Sequence, residues 1–324
     1  MSDAALPARG VGKRQGRLSV LLGLTLFGLL LLMWVGLSLG TRSFLTLNNL
    51  TNLMRQASLW AIIAVGQTFV IITGGIDLSV GTVVGFSGVV VALLLQYGLP
   101  IWLAVLLTLA VGAAIGVFHG FGVTRLGLPP FIMTLATLTA LRGVGLLLTD
   151  GSSISVLQDA FTNFSREGLL GIPALFWMVI LVAIPAYVFL HLSRWGRYLF
   201  AIGSNMEAAR LSGVNIGRMI YLAYVLSATL AAFAGILTTS RIGVANATTG
   251  QGWELQSIAA SVIGGTSLFG AVGSVQGPLL GSFVLTTINN GANLLNVNPF
   301  WQLVITGALI IVIVYFDGMR RKRR

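Results

Sequence analysis

The chain has 324 residues, 56% hydrophobic and only 8% charged, with no cysteine and two histidines. A soluble domain carries about 25% charged residues, so that class is excluded. So are disulfide scaffolds, thiolate metal sites, cysteine nucleophiles and a multi-histidine metal centre. The net charge of +11 invites nucleic acid or anionic lipid. However, the basic residues gather at the ends of apolar runs, where they set membrane topology, and no nucleic acid is called for.

In chain order, a basic tail over 1–17 precedes ten apolar runs at roughly 18–40, 58–73, 79–97, 101–123, 130–149, 171–192, 218–240, 255–270, 275–295 and 299–316. Each is near the ~20 residues needed to cross a bilayer. They predict an all-α polytopic membrane protein of about ten transmembrane helices, a permease-like domain over 18–316, closed by a basic tail over 317–324. The first run is too long for a signal-peptide core and reads as a retained helix. The second and eighth are short, as tilted or broken helices lining a path would be.

With the N-terminus inside, fourteen of the nineteen basic residues lie on the inner side. Arg42, Arg55, Arg166 and Arg241 lie outside, and Arg142 falls within a span. The positive-inside rule therefore puts both termini in the cytoplasm. Trp60, Trp102, Trp253 and Trp301 fall at outer span ends, as interfacial tryptophans should, which supports the register. Two connections are long: an outer one near 150–170 and an inner one over 193–217.

The chain lacks the equipment for ATP. A P-loop needs a lysine after a glycine-rich turn, and Lys13 and Lys322 both lie in tails. No Ser/His/carboxylate cluster or carboxylate pair stands ready for hydrolysis. The reading is a membrane protein that moves a solute, is not an enzyme and holds neither cofactor nor metal. Coupling to an ion would leave ionisable groups at mid-membrane. A separate ATPase would need a structured cytoplasmic loop to push on.

Asp77, in "GGIDLSVG" (74–81), is the sole acid between Asp3 and Asp150. Gly74 and Gly75 permit a sharp turn, and Asp77 and Ser79 then precede an apolar run. Asp77 is an N-cap of a re-started helix, a gate residue pairing with Arg125 or with an arginine of a second chain, or a coupling-ion ligand. Gly264 and Gly265 echo the same Gly-Gly pattern, as a second break or as a site of close helix packing. Arg142 snorkels outward, faces a water-filled path, or pairs with a carboxylate such as Glu254. Asn289, Asn293 and Asn296 share a helical face; with Asn290 and Asn298 they either line a path or cap the helix end before Pro299.

Within 193–217, "GSNMEAARLSGV" (203–214) predicts a short helix over Met206–Leu211 held between turns at Gly203 and Gly213. Asn205 or Ser204 caps it and Glu207 suits its dipole. Ala208 and Ala209 form a small face for a partner's groove, with Arg210 reaching a partner's carboxylate. This is the expected ATPase-coupling element.

Four stretches together carry a resemblance: "ITGGIDLSVG" (72–81), "GSNMEAARLSGVNIG" (203–217), "ELQSIAASVIGGTSLFG" (254–270) and "NNGANLLNVNPFWQLVITGALIIVIVYFD" (289–317). They are similar to the ribose/xylose-type sugar permeases of bacterial ABC importers. The resemblance implies an inner-membrane permease that pairs with a second permease chain, identical or paralogous. It also implies a separate subunit that binds ATP and Mg, and a periplasmic binding protein that delivers a monosaccharide. An ABC permease for an amino acid or nucleoside, and an ion-coupled transporter using Asp77, are the alternatives. The chain departs from that group at Gln256, where an acid is usual, and at Gly270-Ala271-Val272-Gly273, where the group has Gly-Gly-x-Gly.

Overall fold

A computed structural model describes residues 11–322. The chain runs α1 (Val11–Gly40), α2 (Leu47–Ile72), α3 (Val80–Gln96), α4 (Ile101–Thr124) and α5 (Pro130–Thr149). A small motif follows: β1 (Ile154–Ser155), α6 (Asp159–Arg166), β2 (Gly168–Leu169) and β3 (Ile172–Pro173). Next come α7 (Ala174–Tyr187), which widens into a π turn over Val188–Leu192, then α8 (Arg194–Ser204) and α9 (Met206–Leu211). The chain closes with α10 (Ile216–Ile242), β4 (Val244–Ala245), α11 (Trp253–Ile263), α12 (Gln276–Leu294) and α13 (Pro299–Lys322).

Each predicted apolar run contains a helix, but the run 255–270 is helical only to Ile263, and 264–270 form a turn. By length and composition, six helices among the described residues suffice to cross a membrane: 23–40 of α1, α2, α4, α5, 174–192, and α10. α3 is apolar but shorter. Two expectations about length divide. α11, with 11 residues, is short. α2 is not: it has 26 residues, because Thr46 caps a polar first turn through the Asn49 N–H and the helix enters the apolar run already formed. The tail boundaries also move. α1 already includes 11–17, and α13 continues through 317 to Lys322, while residues 1–10 and 323–324 lie outside the described part.

α2 and α10 form the centre. α10 packs against α4, α2 and α3, and α11 and α12 pack against one another and against α2. Ile62, Val83, Ile115, Leu175 and Leu237 meet in one core cluster. Lipid tails are as apolar as leucine, so close backbone approach holds such helices together. α4 supplies it with Gly112, Gly116 and Gly120, one per turn; a Cβ on any of them would collide with α10 at Ala232, Val225 or Tyr221. Polar bonds add to this: Thr68 Oγ1 donates to Ser261 Oγ (3.2 Å), and Ser261 Oγ donates to the Ala64 carbonyl (3.1 Å), tying α2 to α11. Outward faces of α1, α4 and α5 carry Leu32, Leu39, Trp102, Leu106 and Leu147, all exposed.

The connection near 150–170 is folded. β1 pairs antiparallel with β4, Ile154 opposite Ala245, and β2 with β3. α6 is pinned to α10 by the Ser165–Ser240 hydroxyl pair at 2.7 Å.

Candidate functional site

Three places hold the residues singled out above. The first is the break between α2 and α3. Gly74 turns the chain with φ +83°, a conformation that costs glycine nothing. Asp77 is 0% exposed. Its Oδ1 accepts the Ser79 N–H (2.9 Å) and hydroxyl (2.6 Å), and its Oδ2 accepts the Ser227 hydroxyl from α10 (2.9 Å). The Gln67 amide, with its nitrogen toward the Asp77 carbonyl, bonds both backbone groups of Asp77 (3.1 and 3.2 Å). The carboxylate thus holds the start of α3 and stitches it to α10.

The pairing of Asp77 with Arg125 is not made. Among the described residues the one ion pair within 4 Å is Glu207–Arg210. Arg125 caps the end of α4 and is exposed, whereas Asp77 is buried. Arg142 and Glu254 likewise make no ion pair within 4 Å, although the two stand near enough to interact through their charges.

Beside Asp77 lie groups the sequence did not single out. Tyr224 stands so close to Gly75 that a Cβ there would sit 2.8 Å from its hydroxyl. Its ring meets His119 edge to face at 5.8 Å. The Tyr224 hydroxyl and both His119 nitrogens are buried without a hydrogen-bond partner. The spacing of Tyr224 and Ser227, three apart on one face of α10, was the available signal. Their place beside Asp77 required knowing which face α10 turns to α3.

The second place is the connection 193–217. Its first half, expected to be a loop, is helix α8. Ser193 caps it, accepting the Trp195 and Gly196 N–H groups, and Leu199 and Ile202 bury one side. Gly203 therefore lies inside a helix, not in a turn as its position before Asn205 indicated. Its role is close approach: a Cβ on Gly203 would collide with the Ile72 carbonyl and the Ala271 nitrogen.

Asn205 Oδ1 caps α9 by accepting the Ala208 N–H (2.9 Å), and Glu207 pairs with Arg210 within the helix (2.6 Å), both exposed. Gly213 takes φ +82° after it. The Ala-Ala face is corrected. Ala208 is exposed, but Ala209 is 4% exposed, because it packs into the chain's own cluster with Leu199, Ile202 and Met219. The outward surface of α9 is Met206, Glu207, Ala208, Arg210 and Leu211.

Ile72, Gly203 and Ala271 make one junction. The Ile72 carbonyl accepts the Ala271 N–H at 3.0 Å, so the end of α2 is bonded to the turn after α11 with Gly203 of α8 pressed between. Gly264 and Gly265 belong to that turn: Gly265 has φ +90°, and Gly264 meets the backbone of Gly277. Ala271 has φ +62°, strained for a residue with a Cβ, at the position where the resembling group has glycine. Asp317 of α13 accepts the Ser267 hydroxyl (3.1 Å) and the Leu268 N–H (3.0 Å), fixing the same turn.

The third place lies at the other end of α2. A cavity of about 790 Å³ opens among α2, α11, α12 and α13, and Asn289 and Asn293 line it; Arg142 does not. The asparagines divide their tasks. Asn290 exchanges two amide bonds with Asn49 (3.0 and 2.7 Å), Asn293 accepts from Gln302 (2.8 Å), and Asn298 caps α13 through the Phe300 N–H (2.8 Å). Trp60 and Trp253 also line the cavity, their rings edge to face at 6.3 Å. Trp60 is 7% exposed and so is turned inward, whereas Trp102 and Trp301 are 68% and 63% exposed. Arg55 donates to the Arg166 carbonyl (2.9 Å) and Arg241 to Gln56 (2.9 Å), gathering three of the four predicted outer arginines at this end. Among the described residues no cluster of three His, Cys, Asp or Glu could hold a metal.

With this geometry the chain can be compared with known proteins. Residues 49–314 match a family described as "Branched-chain amino acid transport system / permease component". The ribose import permease protein RbsC of Escherichia coli strain K12 is 40% identical over 283 residues, covering 86% of this chain and 88% of that one. RbsC of Bacillus subtilis strain 168 is 42% identical over 277 residues, 85% of this chain and 86% of that one. The D-allose transport system permease protein AlsC of Escherichia coli strain K12 is 36% identical over 299 residues, 92% of each. No solved structure matches the chain. The chain belongs to this family of transport-system permease components.

Proposed function

We propose that this permease forms the translocation path of an ATP-driven importer in the bacterial inner membrane, and that its cargo is a monosaccharide. The observation that carries this is the similarity over most of the chain to permeases named for ribose and allose. In this reading all ten apolar helices cross or enter the membrane and both termini are cytoplasmic. The charge asymmetry of the sequence supports that orientation. A separate subunit binds and hydrolyses ATP with Mg, a periplasmic protein delivers the sugar, and a second permease chain completes the path.

The geometry supplies a mechanism. α9 presents Met206, Glu207, Arg210 and Leu211 to the ATPase. Behind it, α8 reaches the end of α2 with no side chain intervening, since Gly203 abuts Ile72 and Ala271. A displacement of α8–α9 therefore moves the α2–α3 break and the α11–α12 turn together. Asp77, bonded to Ser79 and Ser227, is the tie that this motion strains or keeps. Asp77, Gly74, Gly75, Ser79, Gly264 and Gly265 act in this account as hinge and gate.

The test is uptake by proteoliposomes holding the permease, its ATPase and its binding protein. ATP-dependent accumulation of D-ribose or D-galactose is expected. Uptake driven by a pH gradient without the ATPase would overturn the reading. The family description names amino acids, so L-leucine is the comparison that decides the cargo class.

A further inference from the structure

Trp60, Gln256 and Thr286, from α2, α11 and α12, all line the cavity at the outer end. Each carries a polar atom shielded from water without a hydrogen-bond partner: Trp60 Nε1, Gln256 Oε1 and Thr286 Oγ1. Three such atoms in one wall are unusual, because buried polar groups are normally paired. Thr286 does not make the bond to the carbonyl four residues back that Thr68, Thr108 and Thr238 make.

We propose that this cavity is a binding chamber for one neutral, polyhydroxylated ring within the permease itself. The Trp60–Trp253 pair offers an apolar face for the ring's C–H groups. Trp60 Nε1 donates to one hydroxyl, Gln256 Oε1 accepts from another, and Thr286 Oγ1 does both. Asn289, whose Nδ2 donates to the Leu285 carbonyl (3.1 Å), adds its Oδ1 to the lining. The chamber's volume of about 790 Å³ lies within the roughly 300–1,000 Å³ of small-molecule sites.

Charge selects against the other small solutes. No acidic side chain among the described residues lines the chamber, so an ammonium group finds no counter-ion there. The one cation, Arg241, donates to Gln56. The Trp60, Gln256 and Thr286 atoms facing acyl chains would stay unsatisfied; a polar solute suits them. In the present conformation the three unpaired atoms lie under the chamber surface. An entering ring parts the wall, and the new hydrogen bonds offset that cost.

This inference rests on the import reading above, so the test separates the two. The full importer in proteoliposomes is assayed with D-ribose, D-galactose and L-leucine. Thr286→Val keeps shape and removes one hydroxyl, while Trp60→Phe removes the N–H together with part of the indole ring. The KM for sugar uptake is expected to rise about fivefold to tenfold in each, the value of one lost hydrogen bond. Thr286→Ser, which keeps the hydroxyl, should restore the wild-type KM. Wild-type KM in both variants at normal folded yield overturns the chamber and leaves the import reading intact. A wild-type assembly that hydrolyses ATP yet takes up neither sugar overturns the import reading instead. A second measurement needs no variant: tryptophan fluorescence of the wild-type permease in lipid nanodiscs. Quenching by millimolar D-ribose but not L-leucine is expected; no change, or equal quenching by L-leucine, overturns the chamber.

Discussion

The two ends of α2 are built to opposite specifications. At its C-terminal end the Ile72 carbonyl, Gly203 and Ala271 touch backbone to backbone, and a single methyl group has no room. At its N-terminal half Trp60 and Gln56 border an open cavity walled by amides and by polar atoms without partners. Transmission of force needs contacts with no slack; passage of a solute needs space and hydrogen-bonding capacity left in reserve. One continuous 26-residue helix joins them, so a change at the tight end is carried rigidly to the open one.

The sharpest way to break this comparison is Gly203→Val. The new side chain must displace the end of α2 or the 270–273 turn, and overpacking of this kind costs about 1–3 kcal/mol or more. Loss of folded protein on gel filtration, or folded protein with no transport, is expected; a folded and fully coupled variant would show that the junction has slack.

Asp77→Leu comes next. It leaves the Ser79 N–H and the Ser227 hydroxyl without their acceptor, at roughly 1–3 kcal/mol each, and a lowered melting temperature is expected. Asp77→Asn retains an acceptor for Ser79 and an amide for Ser227 and should melt near wild type. If Asn folds normally yet abolishes transport, the charge itself acts in gating.

Smaller is the contrast between neighbours on α9. Ala209→Leu overfills the cluster of Leu199 and Met219 and should destabilise by about 1–2 kcal/mol. Ala208→Leu, on the exposed face, should leave melting unchanged within about 0.5 kcal/mol; its effect is expected on co-purification with the ATPase. Equal melting of both variants would contradict the inward seat of Ala209.

The smallest effect is a gain. Ala271 holds φ +62°, which costs a residue with a Cβ roughly 1–2 kcal/mol. Ala271→Gly should raise the melting temperature slightly, the relief offset by the greater freedom of glycine in the unfolded chain. A clear loss of stability would mean that the alanine methyl packs usefully in the turn.

Much of the fold was legible because its signals are local. Apolar runs of crossing length, Gly-Gly before Asp77, Asn205 ahead of a run of helix formers and the distribution of arginine are all properties of short stretches. They marked where every long helix lies and placed a break at 74–75, leaving 264–265 as either a break or a site of close packing. The same locality misread α2 as short, because its polar first turns carry no hydropathy signal and are helical through the Thr46 cap. It misread Gly203 as a turn, because glycine marks both turns and close packing. It did not show that Trp60 turns inward, because an aromatic at a span end looks the same whether it faces lipid or protein.

The sequence by itself determined that this is a helical membrane protein lacking a P-loop, with a glycine-hinged break at 74–75 and a short capped helix between its seventh and tenth helices. Only the tertiary structure decided that Asp77 meets Ser227 beside Tyr224 and His119, that Gly203 seats against Ile72 and Ala271, and that Trp60 joins Trp253 over Gln256 and Thr286. The reason lies in the solvent. In water a helix declares its buried face by an apolar stripe; in lipid the outward face is as apolar as the inward one, so α4 and α10 give no sign of which way they turn. The facing of the few polar side chains is then set by the close approach of backbones.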